Sequence, residues 1–299
     1  MDNDQILVSI HVLTYQHSNY IQQAIDSILM QKVNFKYDIV ISDDCSTDGT
    51  QQILIEYKRK YADKIKLNLN TKNIGVLRNS NKVIKNCKGK YIAILEGDDF
   101  WCDENKLQQQ VDFLEKYNEY SACFHDTYVI GDDVNRCKLY KITKGDINNY
   151  KHYFNTIPTI PTASLVIRNI FNNNNYYHYF NKPKFVGDRI LHVLLLKHGK
   201  IKYLDRIMCT YRYNTMGGTS FSAQSIYLRK KDYVEAVKVQ RSIVDKDTAV
   251  IVDEYIKELQ NNIVDSYIVD QLYKDLLKYL FKELSFSEKL KLVHHHLRK

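Results

Sequence analysis

Glu96-Gly97-Asp98-Asp99 follows directly on the apolar run Tyr91-Ile92-Ala93-Ile94-Leu95. A short apolar run bounded by turn residues reads as a strand buried on both faces of a sheet. Ligands of open α/β sheets collect beyond the carboxyl ends of such strands. Adjacent carboxylates repel unless a cation neutralises them, and hard oxygen ligands suit Mg²⁺ or Mn²⁺, which then bridge the oxygens of a diphosphate. Asp98 and Asp99 therefore mark either a metal and nucleotide-diphosphate site or an ordinary polar turn.

A second acidic group lies upstream. Tyr37 to Ser42 reads as another buried strand and ends in Asp43-Asp44-Cys45-Ser46-Thr47-Asp48-Gly49-Thr50, ahead of an amphipathic run holding Ile53, Leu54 and Tyr57. Ser46, Thr47 and Asp48 are helix-starting residues and Gly49 a turn residue. Capping explains Asp48 better than it explains Asp43 and Asp44. A carboxylate at a strand end can accept hydrogen bonds from a base N–H or a ribose hydroxyl, a role that falls to Asp44 with Asp43 as its neighbour. A third carboxylate, Asp188, closes Lys184-Phe185-Val186-Gly187-Asp188 just before the apolar helical stretch of Ile190, Leu191, Val193, Leu194 and Leu195. Taken alone, Asp188 caps that helix.

In this order and spacing the segments resemble a family 2 glycosyltransferase of the GT-A fold, over roughly residues 5 to 220. Val8-Ser9-Ile10-His11-Val12-Leu13-Thr14-Tyr15-Gln16 is similar to the family's first strand and its Thr-Tyr-Asn turn, with Gln16 replacing the usual Asn. Tyr20 to Gln31 resembles its first helix. The Asp-Asp-x-Ser-Thr-Asp-Gly-Thr segment, Asn73-Ile74-Gly75 with Asn81 following, and Gly89-Lys90-Tyr91-Ile92 come next, and Gly97-Asp98-Asp99-Phe100-Trp101 stands where the family carries its metal-binding Asp-x-Asp variant.

The resemblance implies roles residue by residue. Tyr15 would stack on uracil with Thr14 beside it, Asp44 would take the base N–H, and Asn81 would line the same nucleotide side. Asp98 and Asp99 would meet the sugar-diphosphate and a Mn²⁺ or Mg²⁺ ion, Asp99 the more direct ligand. An inverting transfer needs a base for the acceptor hydroxyl proton, and the family's base occupies the Gly-Asp position ahead of a helix, here Asp188. Tyr211-Arg212-Tyr213-Asn214-Thr215-Met216-Gly217-Gly218-Thr219-Ser220 resembles the segment that closes many of these sites, with Asn214 where relatives often carry His. A carboxamide there would weaken metal binding. Arg212 either pairs with the diphosphate, which its guanidinium matches, or makes a surface salt bridge. Trp101, the only tryptophan, either lines an acceptor pocket by stacking on a sugar or belongs to the core.

The elements that must carry these residues follow from periodicity. Ile21, Ala24, Ile25, Ile28 and Leu29 recur at helical spacing after a strand, as do Leu107, Val111 and Leu114 after the Asp-Asp motif. The expected fold is α/β: a GT-A domain over residues 1–220, with a Rossmann-like nucleotide-sugar half (1–100), an acceptor half (101–220) and a mostly parallel central sheet. A helical region over 221–299 follows. Its stripes, Ile256, Leu259, Ile263 and Tyr267, then Leu272, Leu276, Leu277, Leu280 and Leu284, suit packing on the domain or on a second copy. Lys274, Lys278, Lys282, Lys289, Lys291, Arg298 and Lys299 also suit peripheral contact with anionic lipid. His294-His295-His296 cannot share one helical face and reads as solvent-facing.

With 44% hydrophobic and 26% charged residues the chain is neither fibrous nor disordered. The net charge of +8 is dispersed rather than clustered in a nucleic-acid-binding motif, so no nucleic-acid partner is expected. The basic balance suits a nucleotide diphosphate or a membrane bearing a lipid-linked acceptor. The acidic start Met1-Asp2-Asn3-Asp4-Gln5 precedes too short an apolar run for a secretory signal. Six scattered cysteines form no Cys-x-x-Cys pair, which suits a reducing cytoplasm.

The expected activity is metal-dependent, inverting transfer of a sugar from a nucleotide donor, a UDP-sugar first, to a saccharide or lipid-linked oligosaccharide in surface-polysaccharide assembly. Two rivals are a nucleotidyltransferase, although Leu13 to Ser18 lacks the glycine-rich phosphate loop, and a non-catalytic nucleotide-sugar or glycan-binding module.

Overall fold

The computed structural model describes residues 5–131, 138–140, 142–184, 186–213 and 225–283, with side chains described as far as 263 and at 268. The first part alternates strand and helix: β1 (Val8–Thr14), α1 (Ile21–Leu29), β2 (Tyr37–Asp43), α2 (Thr50–Lys60), β3 (Ile65–Leu69), α3 (Val76–Asn86) and β4 (Tyr91–Glu96). Then come β5 (Phe100–Trp101), α4 (Lys106–Lys116), β6 (Tyr120–Ile130), β7 (Lys138–Leu139), α5 (Tyr150–Thr156), β8 (Val166–Arg168), α6 (Asp188–Leu196), β9 (Lys200–Arg212), α7 (Ile226–Arg241) and α8 (Lys246–Glu283).

The strands form one sheet in the order β3-β2-β1-β4-β8-β6-β9-β5, with β7 paired to β6. From β3 to β4 every pairing is parallel, as the continuous apolar runs predict. Beyond β4 the sheet is mixed rather than mostly parallel: β8 runs antiparallel to both β4 and β6, β5 antiparallel to β9, and β9 parallel to β6. Alternation along each strand divides the core between the faces. On β4, Tyr91, Ala93 and Leu95 join α1 and α4, whereas Ile92 and Ile94 join α3, α5 and α6.

The region after 220 shares that second core. Ala236, Val237 and Val239 of α7 and Val252 of α8 pack with Ile190 and Leu194 of α6, and Ile256 and Leu259 lie against the same cluster. Ile256 and Leu259, the first half of that apolar stripe of α8, thus pack on their own domain. No described helix is long and apolar enough to cross a membrane. Asn214 to Ser220, Leu284, Lys289, Lys291, His294 to His296, Arg298 and Lys299 lie outside the described residues, as do the side chains of Tyr267 and of the residues from Leu272 onward named above.

One buried residue gives the fold a pH signature. His11 on β1 has its Nε2 3.0 Å from Ser80 Oγ and, among the described residues, no hydrogen-bond partner at Nδ1, and burial pulls its pKa down to about 4. The unfolded chain takes up this proton below about 6.5, the folded chain only near the lower value, so the contribution is present above about 6.5 and is lost as pH falls toward the folded pKa. Urea unfolding at pH 7, 6 and 5 is expected to show the stability of His11→Gln relative to wild type rising by up to about 1.4 kcal/mol per pH unit over that window. A constant difference would contradict this.

Candidate active site

The ends of β1, β2 and β4 meet along one edge, because their register pairs Thr14 with Asp43 and Leu13 with Glu96. The backbone carries the junction: Asp44 N–H donates to Thr14 O at 3.0 Å and Gly97 N–H to Leu13 O at 2.7 Å. Gly97 allows the approach, since a Cβ there would lie 2.9 Å from Thr14 Oγ1 and 2.9 Å from His17 Nδ1. Gly97→Ala is expected to cost about 1–3 kcal/mol by overpacking and to weaken nucleotide binding by displacing Thr14 and His17. Thermal melts with and without nucleotide would check both effects.

Around Gly97 lie buried polar atoms that have no hydrogen-bond partner among the described residues: Thr14 Oγ1, His17 Nδ1 and Glu96 Oε2. Tyr15, half-buried, follows Thr14 at the same edge. Asp98 keeps 18% of its side chain exposed, with His17 Nε2 3.8 Å away. Asp99 is 2% exposed and accepts the Arg212 N–H at 2.8 Å. Burial, then the neighbouring Asp98 and Glu96 charges, hold the Asp99 carboxyl well above its usual range. Glu96 is pushed up to about 8 by burial, then by Asp98, with Asp188 adding to it. Glu96 belongs to the site although the reading of the sequence assigned roles only to Asp98 and Asp99. Its signal was its place as the last residue of the apolar strand.

Among the described residues no group of three His, Cys, Asp or Glu converges on a common metal position. The carboxylates still fit a Mg²⁺-like ion. Such ions are held by one or two carboxylates plus substrate phosphates, and a crowded set of acids with raised pKa values is relieved by a cation.

Several expected residues act differently. Asp43 is fully buried and holds the turn after β2, accepting from Ser46 N, Ser46 Oγ and Gln51 Nε2, so its carboxylate serves that turn. Asp44 is also buried: it accepts from Asn70 Nδ2 at 3.0 Å and from the Ile74 and Gly75 N–H groups at 2.9 Å each. It therefore shapes the Asn73-Ile74-Gly75 turn, where Gly75 adopts a φ of +86°. Asn79, not Asn81, completes that network through Asn70 at 2.9 Å. Asn81 instead approaches Tyr177 O at 3.4 Å. Trp101 is 1% exposed, its Nε1 donating to Ala163 O at 3.0 Å and its ring 4.4 Å from the buried Lys106 Nζ, so it is core and not an acceptor wall.

Among the described residues Arg212 makes no surface salt bridge. Its guanidinium lies between the Tyr20 and Phe100 rings, 4.9 Å from each centroid, and donates to Asp98 O at 2.5 Å and to Gln23 Oε1. It clamps the Asp98–Asp99 segment onto α1.

Asp188 opens α6 and is half-buried. It is fixed from two sides. A Cβ on the preceding Gly187 would meet Leu77 Cδ2 of α3 at 2.5 Å, so the glycine lets the helix start pack closely on the Leu77 side chain. From behind, Asp232 of α7 accepts Lys184 N–H at 2.5 Å and Val186 N–H at 3.0 Å, and Gln240 donates to Arg189 O at 2.6 Å. The effect of Asp188 on Glu96 brings this helix start into the electrostatic field of the β4 end.

The model for Glycosyl transferase family 2 matches residues 9–174. An uncharacterized protein of Mycobacterium tuberculosis is 38% identical over 126 residues, 42% of this chain and 36% of that protein. The putative teichuronic acid biosynthesis glycosyltransferase TuaG of Bacillus subtilis is 35% identical over 114 residues, 38% of this chain and 44% of that protein. The chain therefore spans well under half the length of these curated relatives. Among solved structures, S. aureus TarS 1-349 in complex with UDP-GlcNAc superposes with a TM-score of 0.62 at 16% identity, covering 95% of this chain and 78% of that one. The mannosyltransferase PcManGT from Pyrobaculum calidifontis, in complex with GDP-Man and Mn²⁺, gives 0.60 at 13% identity over 99% and 81%. At such identities the likeness establishes a shared fold.

Proposed function

The chain belongs to glycosyl transferase family 2, and from that premise we propose that it is an inverting, metal-dependent glycosyltransferase. Its donor is a UDP-sugar and its acceptor a saccharide or lipid-linked oligosaccharide of a surface polysaccharide, met on the cytoplasmic side of the membrane. The observation that carries the reading is the crowded acidic end of β4, where Glu96, Asp98 and the buried Asp99 lie together with Thr14 Oγ1 and His17 Nδ1, unpartnered among the described residues, while Asp188 at the start of α6 is near enough to act on Glu96.

Tyr15 and the Asn73–Gly75 turn held by Asp44 form the nucleoside side. Asp98 and Asp99 would hold Mn²⁺ or Mg²⁺, which when bound offsets the charge of the diphosphate. Arg212 keeps those two residues in place. Asp188 accepts the proton of the acceptor hydroxyl as that oxygen bonds to the anomeric carbon and the C–O bond to the diphosphate breaks, its electron pair leaving with the nucleotide. The family match ends at residue 174, so the role of Asp188 rests on its position. UDP is favoured by the TarS complex with UDP-GlcNAc, and a metal by the PcManGT complex with Mn²⁺.

Incubation with UDP-sugars and simple glycoside acceptors tests this. Release of UDP that stops with EDTA and in Asp99→Asn is the expected result. Release of pyrophosphate from UTP and a sugar phosphate would instead identify a nucleotidyltransferase. Binding without turnover in any combination would identify a binding module.

A further inference from the structure

With Trp101 in the core, the acceptor side needs another contact surface. Strand alternation at the end of β9 supplies it. Arg212 turns toward Gln23, Tyr20 and Phe100, so its neighbours Tyr211 and Tyr213 project from the opposite face. There Tyr211 meets Tyr140, ring centroids 5.7 Å apart at 57°. Tyr140 is delivered by the turn after β7, its N–H donating to Thr127 O at 2.8 Å, and Tyr213 is fastened to β6 through Ile130 O at 2.9 Å. Tyr213 remains 40% exposed, while Tyr140 and Tyr211 are half-buried.

Each of the two paired rings lies within electrostatic reach of one acidic group, Tyr140 of Asp188 and Tyr211 of the β4 end. Burial, then Asp188 and Tyr213, raise the Tyr140 hydroxyl, and burial, then Asp99 with Tyr140, Asp98 and Glu96, raise that of Tyr211. A flat ring bearing a hydroxyl offers both an apolar face and a hydrogen-bonding tip. A pyranose matches it with an apolar C–H face and a rim of hydroxyls, whereas an acyl chain would be served by aliphatic residues.

Resting on the proposed transfer reaction, we propose that Tyr140, Tyr211 and Tyr213 form the acceptor platform, on which one pyranose ring of a saccharide stacks with a hydroxyl turned toward Asp188. The platform would account for the choice of acceptor through residues other than those proposed for the donor.

Saturation-transfer NMR with methyl glycosides of gluco, galacto, manno and N-acetylgluco configuration, in the presence of UDP and Mn²⁺, tests the platform without turnover. The expected result is saturation concentrated on the ring C–H protons of at least one glycoside, reduced several-fold in Tyr213→Ala and retained in Tyr213→Phe, with UDP binding unchanged in both. Tyr140→Ala is expected to behave as Tyr213→Ala does. Equal saturation in wild type and both alanine variants would overturn the platform, as would a wild type that binds UDP but none of the glycosides. Failure of the wild type to bind UDP at all would instead overturn the donor-site reading on which the platform depends.

Discussion

Asp188→Asn is expected to lower kcat by about 10²- to 10⁴-fold, the usual contribution of a positioned general base, while nucleotide binding stays within about twofold of wild type. The amide keeps the size and much of the hydrogen bonding of the carboxylate, so α6 should still start where it does. What it loses is the ability to accept the proton of the acceptor hydroxyl. Because Asp98 and Asp99, and not Asp188, are proposed to hold the metal and the diphosphate, the nucleotide should not depend on Asp188. Steady-state UDP release, paired with a nucleotide titration by calorimetry, separates the two. Unchanged turnover would remove Asp188 from the reaction and leave it as a helix cap. Unchanged kcat with a raised donor KM would move it to the donor side.

The second large effect is expected far from the motifs. Asp232→Ala removes the acceptor of the Lys184 and Val186 N–H groups, each worth roughly 1.5–3 kcal/mol as a hydrogen bond to a charged group. The variant should therefore unfold at clearly lower urea concentration. Its kcat should also fall, by about 10²-fold if the release of residues 184–186 lets Asp188 drift by about 1 Å, with nucleotide affinity little changed. Asp232→Asn, which keeps one acceptor oxygen, should recover part of both losses. A stability loss in Asp232→Ala with wild-type kcat at a temperature where the variant is folded would show that α7 supports the fold without positioning Asp188.

The parallel half was legible because its strands are buried on both faces and announce themselves as apolar runs ending in polar turns. Tyr37–Ser42 and Tyr91–Leu95 were placed from composition alone, and β2 and β4 follow them closely. The mixed half was not. β8 is only three residues long and antiparallel to both its neighbours, and such a strand leaves no periodic trace. The Asp43-Asp44 pair shows the limit of reading chemistry from residue type. Asp43 is engaged by nearby Ser46 and Gln51, Asp44 by distant groups, and only the fold reveals that Asn70 and the Ile74–Gly75 turn are within its reach.

Long-range partnerships account for most of the remaining differences. Nothing near Asp232 in the chain marks it as a partner of residues 184 and 186, because the contact depends on α7 folding back over α6. Trp101 could be read as sugar platform or core until Ala163 and Lys106 were seen to enclose it. Glu96 ends the same apolar strand that the Asp98-Asp99 pair follows, yet only its buried oxygen without a partner among the described residues and its neighbours Asp98 and Asp188 reveal it as part of the site.

The central claim is a metal-assisted nucleotide-sugar site at the ends of β1, β2 and β4. Its most direct test is thermal unfolding of the chain with UDP-, GDP-, CMP- and dTDP-sugars, each with and without Mn²⁺. A ligand at about 100 times its Kd adds about 2.7 kcal/mol to the folded state, a shift of several degrees for most domains. The account predicts a rise in Tm with UDP-sugars that needs Mn²⁺ and disappears in Asp99→Ala. No rise with any nucleotide sugar, with or without the metal, would contradict it.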